Sequence, residues 1–366
     1  MNSRYDRTLI VIVLILLGIG WIMVYSSSTV MSEITYHDGF KFLKRQLLFS
    51  FLGLLAMLVA MKIDYRNLSV WTYPILALSI LLLILVLIPE LGLSLKVGVA
   101  RRWLRTPWFI FQPSELGKLA LVIFVAYSLA KKEDKIKDFF LGFLPVIAIS
   151  GIMILLVVME PDMGTAIFMG ILTMVLLFIG GTKLSYLVTA PLFAAPGLYF
   201  FITHFHYSHR RIMAFLHPWE DVKGMGFQII QSFVALGSGG LWGVGLGDGR
   251  QKLFFLPAAH TDFILAILGE EVGFLGIMGT ILLFALLIWR GVKISLRAED
   301  AFGAHLAMGI TCMIALQVII NMGVVLGLLP TKGLTLPFIS YGGTSLVVSL
   351  LGIGILLSIS ARGRRG

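Results

Sequence analysis

The feature that leaves this chain fewest choices is the recurrence of apolar runs as long as a bilayer's hydrocarbon core is thick. Ten are legible, near 8 to 27, 46 to 62, 70 to 88, 115 to 131, 139 to 158, 163 to 181, 184 to 203, 261 to 289, 302 to 329 and 339 to 360. Most reach the roughly 17 to 25 residues that a helix needs to cross. A soluble core has no use for so many, and with 58% hydrophobic and 13% charged residues the 366-residue chain is too apolar to be soluble. In hydrocarbon, every backbone polar group must be bonded within the chain, so only helices or a closed barrel can span. These runs are too long and too little alternated for a barrel. The expectation is an all-α polytopic membrane protein, one integral-membrane domain over residues 1–366, with about ten transmembrane helices.

One run resists that reading. "FQIIQSFVALGSGGLWGVGLG", Phe227 to Gly247, is dense in glycine in its second half and would make a poor lipid-exposed helix. It is read as an interfacial or re-entrant segment inside a large outward loop between spans seven and eight. Ten spans also keep both termini, including the basic "RGRR" at Arg362 to Arg365, on the cytoplasmic side. The 29 Lys and Arg then divide almost evenly between the faces. The outward ones concentrate in two long segments, 89 to 118 and 204 to 260, which mark working parts. Arg101 and Arg102 in "ARRWLR", and Arg210 and Arg211 in "SHRR", suit a phosphorylated ligand, because arginine makes paired hydrogen bonds to phosphate oxygens. Interfacial snorkelling to lipid headgroups is the plainer alternative.

Several function classes fall away. The single cysteine, Cys312, lies inside the ninth span, so there is neither a disulfide framework nor a thiol metal site. The chain carries no nucleotide-binding fingerprint. Its net charge of +10 is dispersed over both faces, which argues against a nucleic-acid partner. The first run follows Arg4 and Arg7 as a signal peptide would, but it is long enough to be an uncleaved anchor. His204, His206 and His209 match no standard zinc spacing and read as an aromatic interfacial segment.

Four sites carry candidate chemistry. In "LPAAHTDFILAILGEE", Asp262 stands at the outward mouth of span eight. It either caps the helix, as Thr261 also could, or is desolvated enough to act as a general base. Glu270 and Glu271, two turns below, read as packing anchors. In "FQPSELGK", Pro113 and Glu115 suit a helix start, while Lys118, three residues on, forms an intramembrane pair with Glu115. "MEPDMGTA" places Asp162 in the tight turn between spans five and six, as an ordinary N-cap or a partner of the other acids. "LPFISYGGTS" interrupts an apolar stretch with Pro337, Gly342 and Gly343, as backbone lining a cavity does and as close helix packing also does. His260 and Ser340, inside the first and last of these motifs, complete the substrate-binding candidates.

Together "FQPSELGKLAL", "EPDMGTA", "FQIIQSFVALGSGGLWGVGLG", "FLPAAHTDFILAILGEEVGFLG" and "LPFISYGGTSLV" resemble, in order and spacing, the SEDS family (shape, elongation, division and sporulation), and the resemblance covers essentially the whole chain. It looks more like the division branch than the elongation branch. Two motifs depart from the family pattern: one at Glu160, where many members carry glutamine, the other at Ala258 and Ala259, where a glutamate commonly follows the proline.

The resemblance implies a glycosyltransferase that polymerises lipid II into peptidoglycan on the outer face of the bacterial cytoplasmic (inner) membrane, at the division septum. Asp262 matches the aspartate regarded as essential for catalysis. A hydroxyl attacks an anomeric carbon and expels undecaprenyl pyrophosphate, so the site needs a base and positive charge, from Arg, Lys or a divalent cation such as Mg2+ or Mn2+. No nucleotide or organic cofactor is called for. The implied partners are lipid II, a class B penicillin-binding protein (a transpeptidase) and other division proteins. A lipid II flippase and a membrane scaffold are the competing classes. The candidate residues cluster in the outward half, which favours surface chemistry over passage through the full membrane depth.

Overall fold

The computed structural model describes residues 5–88, 94–97, 100–105, 110–204, 211, 213–221, 224, 226–331 and 333–363. Within them the chain forms helices α1 (Arg7–Tyr36), α2 (Lys41–Lys62), α3 (Asn67–Leu87), α4 (Pro113–Lys131), α5 (Leu144–Met159), α6 (Met163–Ile179), α7 (Leu184–His204), α8 (Gly226–Gly239), α9 (Ile264–Leu296), α10 (Ala301–Val325) and α11 (Gly343–Arg362). Among the described residues, 8 helices are long and apolar enough to cross a membrane, counting α5 together with the turn Phe139–Phe143 before it. The apolar helices α6 and α7 supply the remaining two of the ten expected spans. The protein is a multi-pass membrane protein. Spans one and eight run further than the apolar runs suggest, because α1 continues to Tyr36 and α9 to Leu296.

Charge and small residues organise the bundle. Asp6 opens α1 by accepting from the Leu9 N–H at 3.0 Å, and Asp300 opens α10 by accepting from the Gly303 N–H at 2.7 Å. The Asp6 N–H also donates to Ser360 Oγ at 3.1 Å, and Arg290 Nε donates to Asp6 Oδ2 at 2.8 Å, so the two ends of the chain lie on one face. In lipid the apolar effect does not drive helices together, so close approach depends on small side chains. A Cβ on Gly354 of α11 would lie 2.5 Å from the Met57 carbonyl oxygen of α2, and one on Gly309 of α10 would lie 2.6 Å from Val122 of α4. Helices α4, α10 and α11 form the buried centre, while α2 and α3 turn most of their surface to lipid.

Two features position the site. "ARRWLR" is the middle strand of a small antiparallel sheet, β1 (Ser94–Val97), β2 (Ala100–Arg105) and β3 (Ile110–Phe111). That sheet holds the only β-strands among the described residues. The second feature is a break in α9. Gly273 has φ 76° and ψ −170°, a conformation essentially confined to glycine, and the residues after α8 lie alongside the gap. Val244 and Gly245 donate to the carbonyls of Glu270 and Glu271, at 2.9 and 3.1 Å. Phe274 and Leu275 donate to the carbonyls of Gly240 and Leu241, at 2.9 and 3.3 Å. The glycine-dense run therefore supplies the hydrogen bonds that the broken helix gives up, which is how irregular backbone persists inside an apolar bundle.

Candidate active site

Asp262 stands on the turn that precedes α9. The N–H groups of Thr261 and Phe263 both donate to the Ala258 carbonyl, at 3.1 and 3.3 Å, and the helix begins at Ile264 with no side chain capping it. The capping alternative for Asp262 and Thr261 is therefore not realised. The Asp262 carboxyl is recessed yet partly accessible, facing Gly333, where a Cβ would lie 3.5 Å from Oδ2. Burial pushes its pKa up to about 7, with Asp162 adding to the rise and Arg211 and Arg102 opposing it.

The backbone around Asp262 is tied down from three directions. Asn321, on α10 and 1% exposed, donates through Nδ2 to the Asp262 carbonyl at 2.9 Å and to the Leu334 carbonyl at 2.8 Å. Ser340 donates to the Thr261 carbonyl and accepts from the Leu336 N–H at 2.9 Å. The Tyr341 N–H donates to the His260 carbonyl at 2.9 Å. The interrupted motif "LPFISYGGTS" thus clasps the aspartate's own turn, and the Ser340 hydroxyl is engaged by main chain. His260 lies against Phe42 and Tyr341, ring centroids 4.7 and 5.7 Å apart, and burial lowers its pKa to about 4, so it is a neutral imidazole at pH 7. Gly343 packs on the Phe49 ring, which is the close-packing role open to that glycine pair.

Facing this turn is a second acidic one. Asp162 caps α6, accepting from the Thr165 N–H at 3.2 Å and its hydroxyl at 2.9 Å. Arg102 reaches it from β2, with Nη1 3.5 Å from Asp162 Oδ1 and Nη2 donating to the Pro161 carbonyl. Strand formation in the basic segment is what brings the arginine there. Arg211 is partly exposed and acts on Asp262 through its charge. The Arg101 side chain and the whole of Arg210 lie outside the described residues, as do the His204 side chain, His206 and His209.

Glu115 and Lys118 pair at 2.9 Å, with side chains only 8% and 1% exposed. Lys118 also donates to Gln317 Oε1 at 3.2 Å, and Gln317 Nε2 donates to the Thr335 carbonyl at 2.9 Å and to Ser345 Oγ at 3.3 Å. The pair is thereby joined, through α10, to the motif that clasps Asp262. Glu270 and Glu271 hold loop rather than substrate. Glu270 accepts from the N–H groups of Arg250 and Gln251, at 2.8 and 3.2 Å, and Glu271 pairs with Lys252 at 2.7 Å and accepts from Ser26 Oγ at 2.6 Å.

Sequence reasoning passed over Gln317, Asn321 and Lys252, and marked Glu160 only as a departure from the family pattern. For the first two a signal was present: polar residues four apart in an otherwise apolar span share one helix face, and intramembrane polar groups usually find partners. Among the described residues, no three His, Cys, Asp or Glu side chains converge as a metal-holding group.

A helical bundle long and apolar enough to span a membrane, with a desolvated carboxyl on a turn outside its helices and arginine charge acting on it, defines a class: an integral-membrane protein with a site fit for acid–base chemistry. The chain belongs to the FtsW/RodA/SpoVE family of cell cycle proteins, whose model matches residues 7–365. It is 49% identical over 360 residues to the probable peptidoglycan glycosyltransferase FtsW of Geobacter metallireducens, covering 98% of this chain and 96% of that one. It is 45% identical to stage V sporulation protein E of Bacillus subtilis, covering 98% of each. Among solved structures it resembles a chain of a peptidoglycan synthase complex that coordinates polymerization and crosslinking, with TM-score 0.79, 29% identity and 97% coverage of both. It also resembles the rod shape determining protein RodA of Thermus thermophilus, with TM-score 0.73 and 26% identity, covering 99% of this chain and 98% of that one.

Proposed function

We propose that this protein is a peptidoglycan glycosyltransferase of the division branch, polymerising lipid II at the outer face of the cytoplasmic membrane. The observation that carries the reading is Asp262: a carboxyl with a pKa near 7, reachable from the membrane surface, its backbone fixed and its oxygens not spent on capping. The acceptor's C4 hydroxyl is a weak nucleophile, and an ionised Asp262 takes its proton as the oxygen bonds to the donor's anomeric carbon. The bond from that carbon to the pyrophosphate oxygen breaks at the same time, and its electron pair leaves with undecaprenyl pyrophosphate. Arg102 and Arg211, whose charges already act on Asp262, stabilise the departing anion. A divalent cation such as Mg2+ or Mn2+ would supply the same positive charge at the departing anion.

The FtsW-named relatives support division over elongation. Their family's placement in peptidoglycan synthesis supports a class B penicillin-binding protein as the crosslinking partner, and a septal location with both termini in the cytoplasm. Purified protein given lipid II tests the reaction. Wild type should build glycan strands, and Asp262→Asn, which keeps the shape but not the base, should lose at least about a hundredfold in rate while remaining monodisperse in detergent. Long strands made by Asp262→Asn at the wild-type rate would remove the assigned base.

A further inference from the structure

Beside the site, two buried groups lack partners, and they are complementary. Glu160 closes α5 with 0% exposure, and neither of its carboxyl oxygens takes a hydrogen bond among the described residues. Arg102 commits its Nη atoms to Pro161 and Asp162, while its Nε is buried with no acceptor there. Arg102 lies against the turn that Glu160 begins, and its charge acts on the Glu160 carboxyl.

A carboxylate stripped of water and given no donor is costly as an ion, so the group holds its proton instead. Burial pushes the Glu160 pKa up to about 9, Asp162 adds to the rise, and Arg102 offsets only part of it. A neutral acid does not compete for a guanidinium. An ionised one does, and Nε together with an Nη presents the fork that a carboxylate accepts in pairs.

We infer that Glu160 is a positioning residue for Arg102: protonated, it leaves the guanidinium facing Asp262 and the pyrophosphate, and ionised, it draws the guanidinium onto itself and away from substrate. The inference rests on the pyrophosphate role proposed above for Arg102. The charged groups in play are Asp162 at the start of α6, Arg102 on β2, and, across the cleft, Asp262 with Arg211. Glu115 and Lys118 on α4 neutralise each other.

The test compares the full chain with Glu160→Gln, measuring lipid II polymerisation and the infrared carbonyl stretch of protonated carboxyls from about pH 6 to about 10. In wild type, the half-saturating lipid II concentration should climb about tenfold for each pH unit above the Glu160 pKa, and in Glu160→Gln it should stay level through that range. A protonated-carboxyl band that survives in Asp262→Asn above about pH 8 should fade by about pH 10 and be missing from Glu160→Gln. Parallel alkaline losses in wild type and Glu160→Gln, or the absence of that band, would overturn the inference. The infrared arm requires no turnover, and the pH at which the band fades is read in Asp262→Asn alone, so it still decides if Glu160→Gln folds poorly, and its failure is distinct from a failure of the polymerase reading.

Discussion

Replacing Gly273 with alanine should detach the half-helix that carries the Asp262 turn from the loop that steadies it. The residue's φ of 76° and ψ of −170° lie where only glycine is at ease, and a side chain there costs about 1–3 kcal/mol. A Cβ would sit 2.3 Å from the Gly243 nitrogen and 2.6 Å from the Leu241 oxygen. Both are main-chain atoms and cannot rotate aside. Relief requires the loop to back away, which strains the four hydrogen bonds made by Val244, Gly245, Phe274 and Leu275, each worth a net ~0.5–1.5 kcal/mol. With half of those bonds lost, the total is about 2–6 kcal/mol. Gly279, further along α9, is the control: a Cβ there meets nothing within 4 Å, and alanine should be neutral or add about 0.5–1 kcal/mol. Thermal unfolding in detergent, followed by loss of the monodisperse peak and by polymerisation of lipid II, reads both. A Gly273→Ala protein as stable and active as Gly279→Ala would mean that α9 is continuous there and that the argument from the break is wrong.

Two further outcomes follow from the same geometry. Lys252→Met leaves Glu271 as a buried charge with only Ser26 beside it and should cost about 3–5 kcal/mol, while Lys252→Met with Glu271→Leu should recover most of that; a double variant no more stable than the single one would show that the pair is not the source. Turnover should fall on the acid side with a midpoint near the Asp262 pKa of about 7, because the base must be ionised, whereas the stability contributed by the raised pKa runs the other way and declines as pH rises from about 4 through about 7. A rate level from about pH 5 to about 8 would contradict the assignment.

The placement of the helices was legible because apolar length is dictated by bilayer thickness: each of the ten runs falls on a helix, and 8 of these are long and apolar enough to cross. The glycine-dense second half of the run after Phe227 was also legible as a poor helix, because glycine is a weak helix former, and α8 ends at Gly239. What it does was not legible: its hydrogen-bond partners lie on α9, and Gly273 looks no different in sequence from Gly276 or Gly279. Glu115 and Lys118 were readable as a pair from their spacing, but the extension to Gln317 and Thr335 depends on helices that meet only in the fold. Arg102 shows the limit most plainly, since the sequence marked four arginines equally and it is strand pairing that carries Arg102 to Asp162.

The two aspartates at this surface show why position along a helix decides the chemistry. A base at neutral pH must be desolvated enough to hold a proton part of the time, yet reachable enough to receive one from substrate. A carboxylate used as an N-cap fails the second demand, because its oxygens are already occupied by donors. Asp162 is used in that way by Thr165, and further engaged by Arg102. Asp262 is one residue too early to cap α9, so its turn is secured instead by Asn321, Ser340 and Tyr341 acting on carbonyl groups of residues 260–262. Holding the backbone through its carbonyls fixes the side chain's place without donating a hydrogen bond to its oxygens. The capped Asp162 then contributes the negative charge that helps raise the pKa of Asp262, and Arg102, shared between them, limits how far it rises.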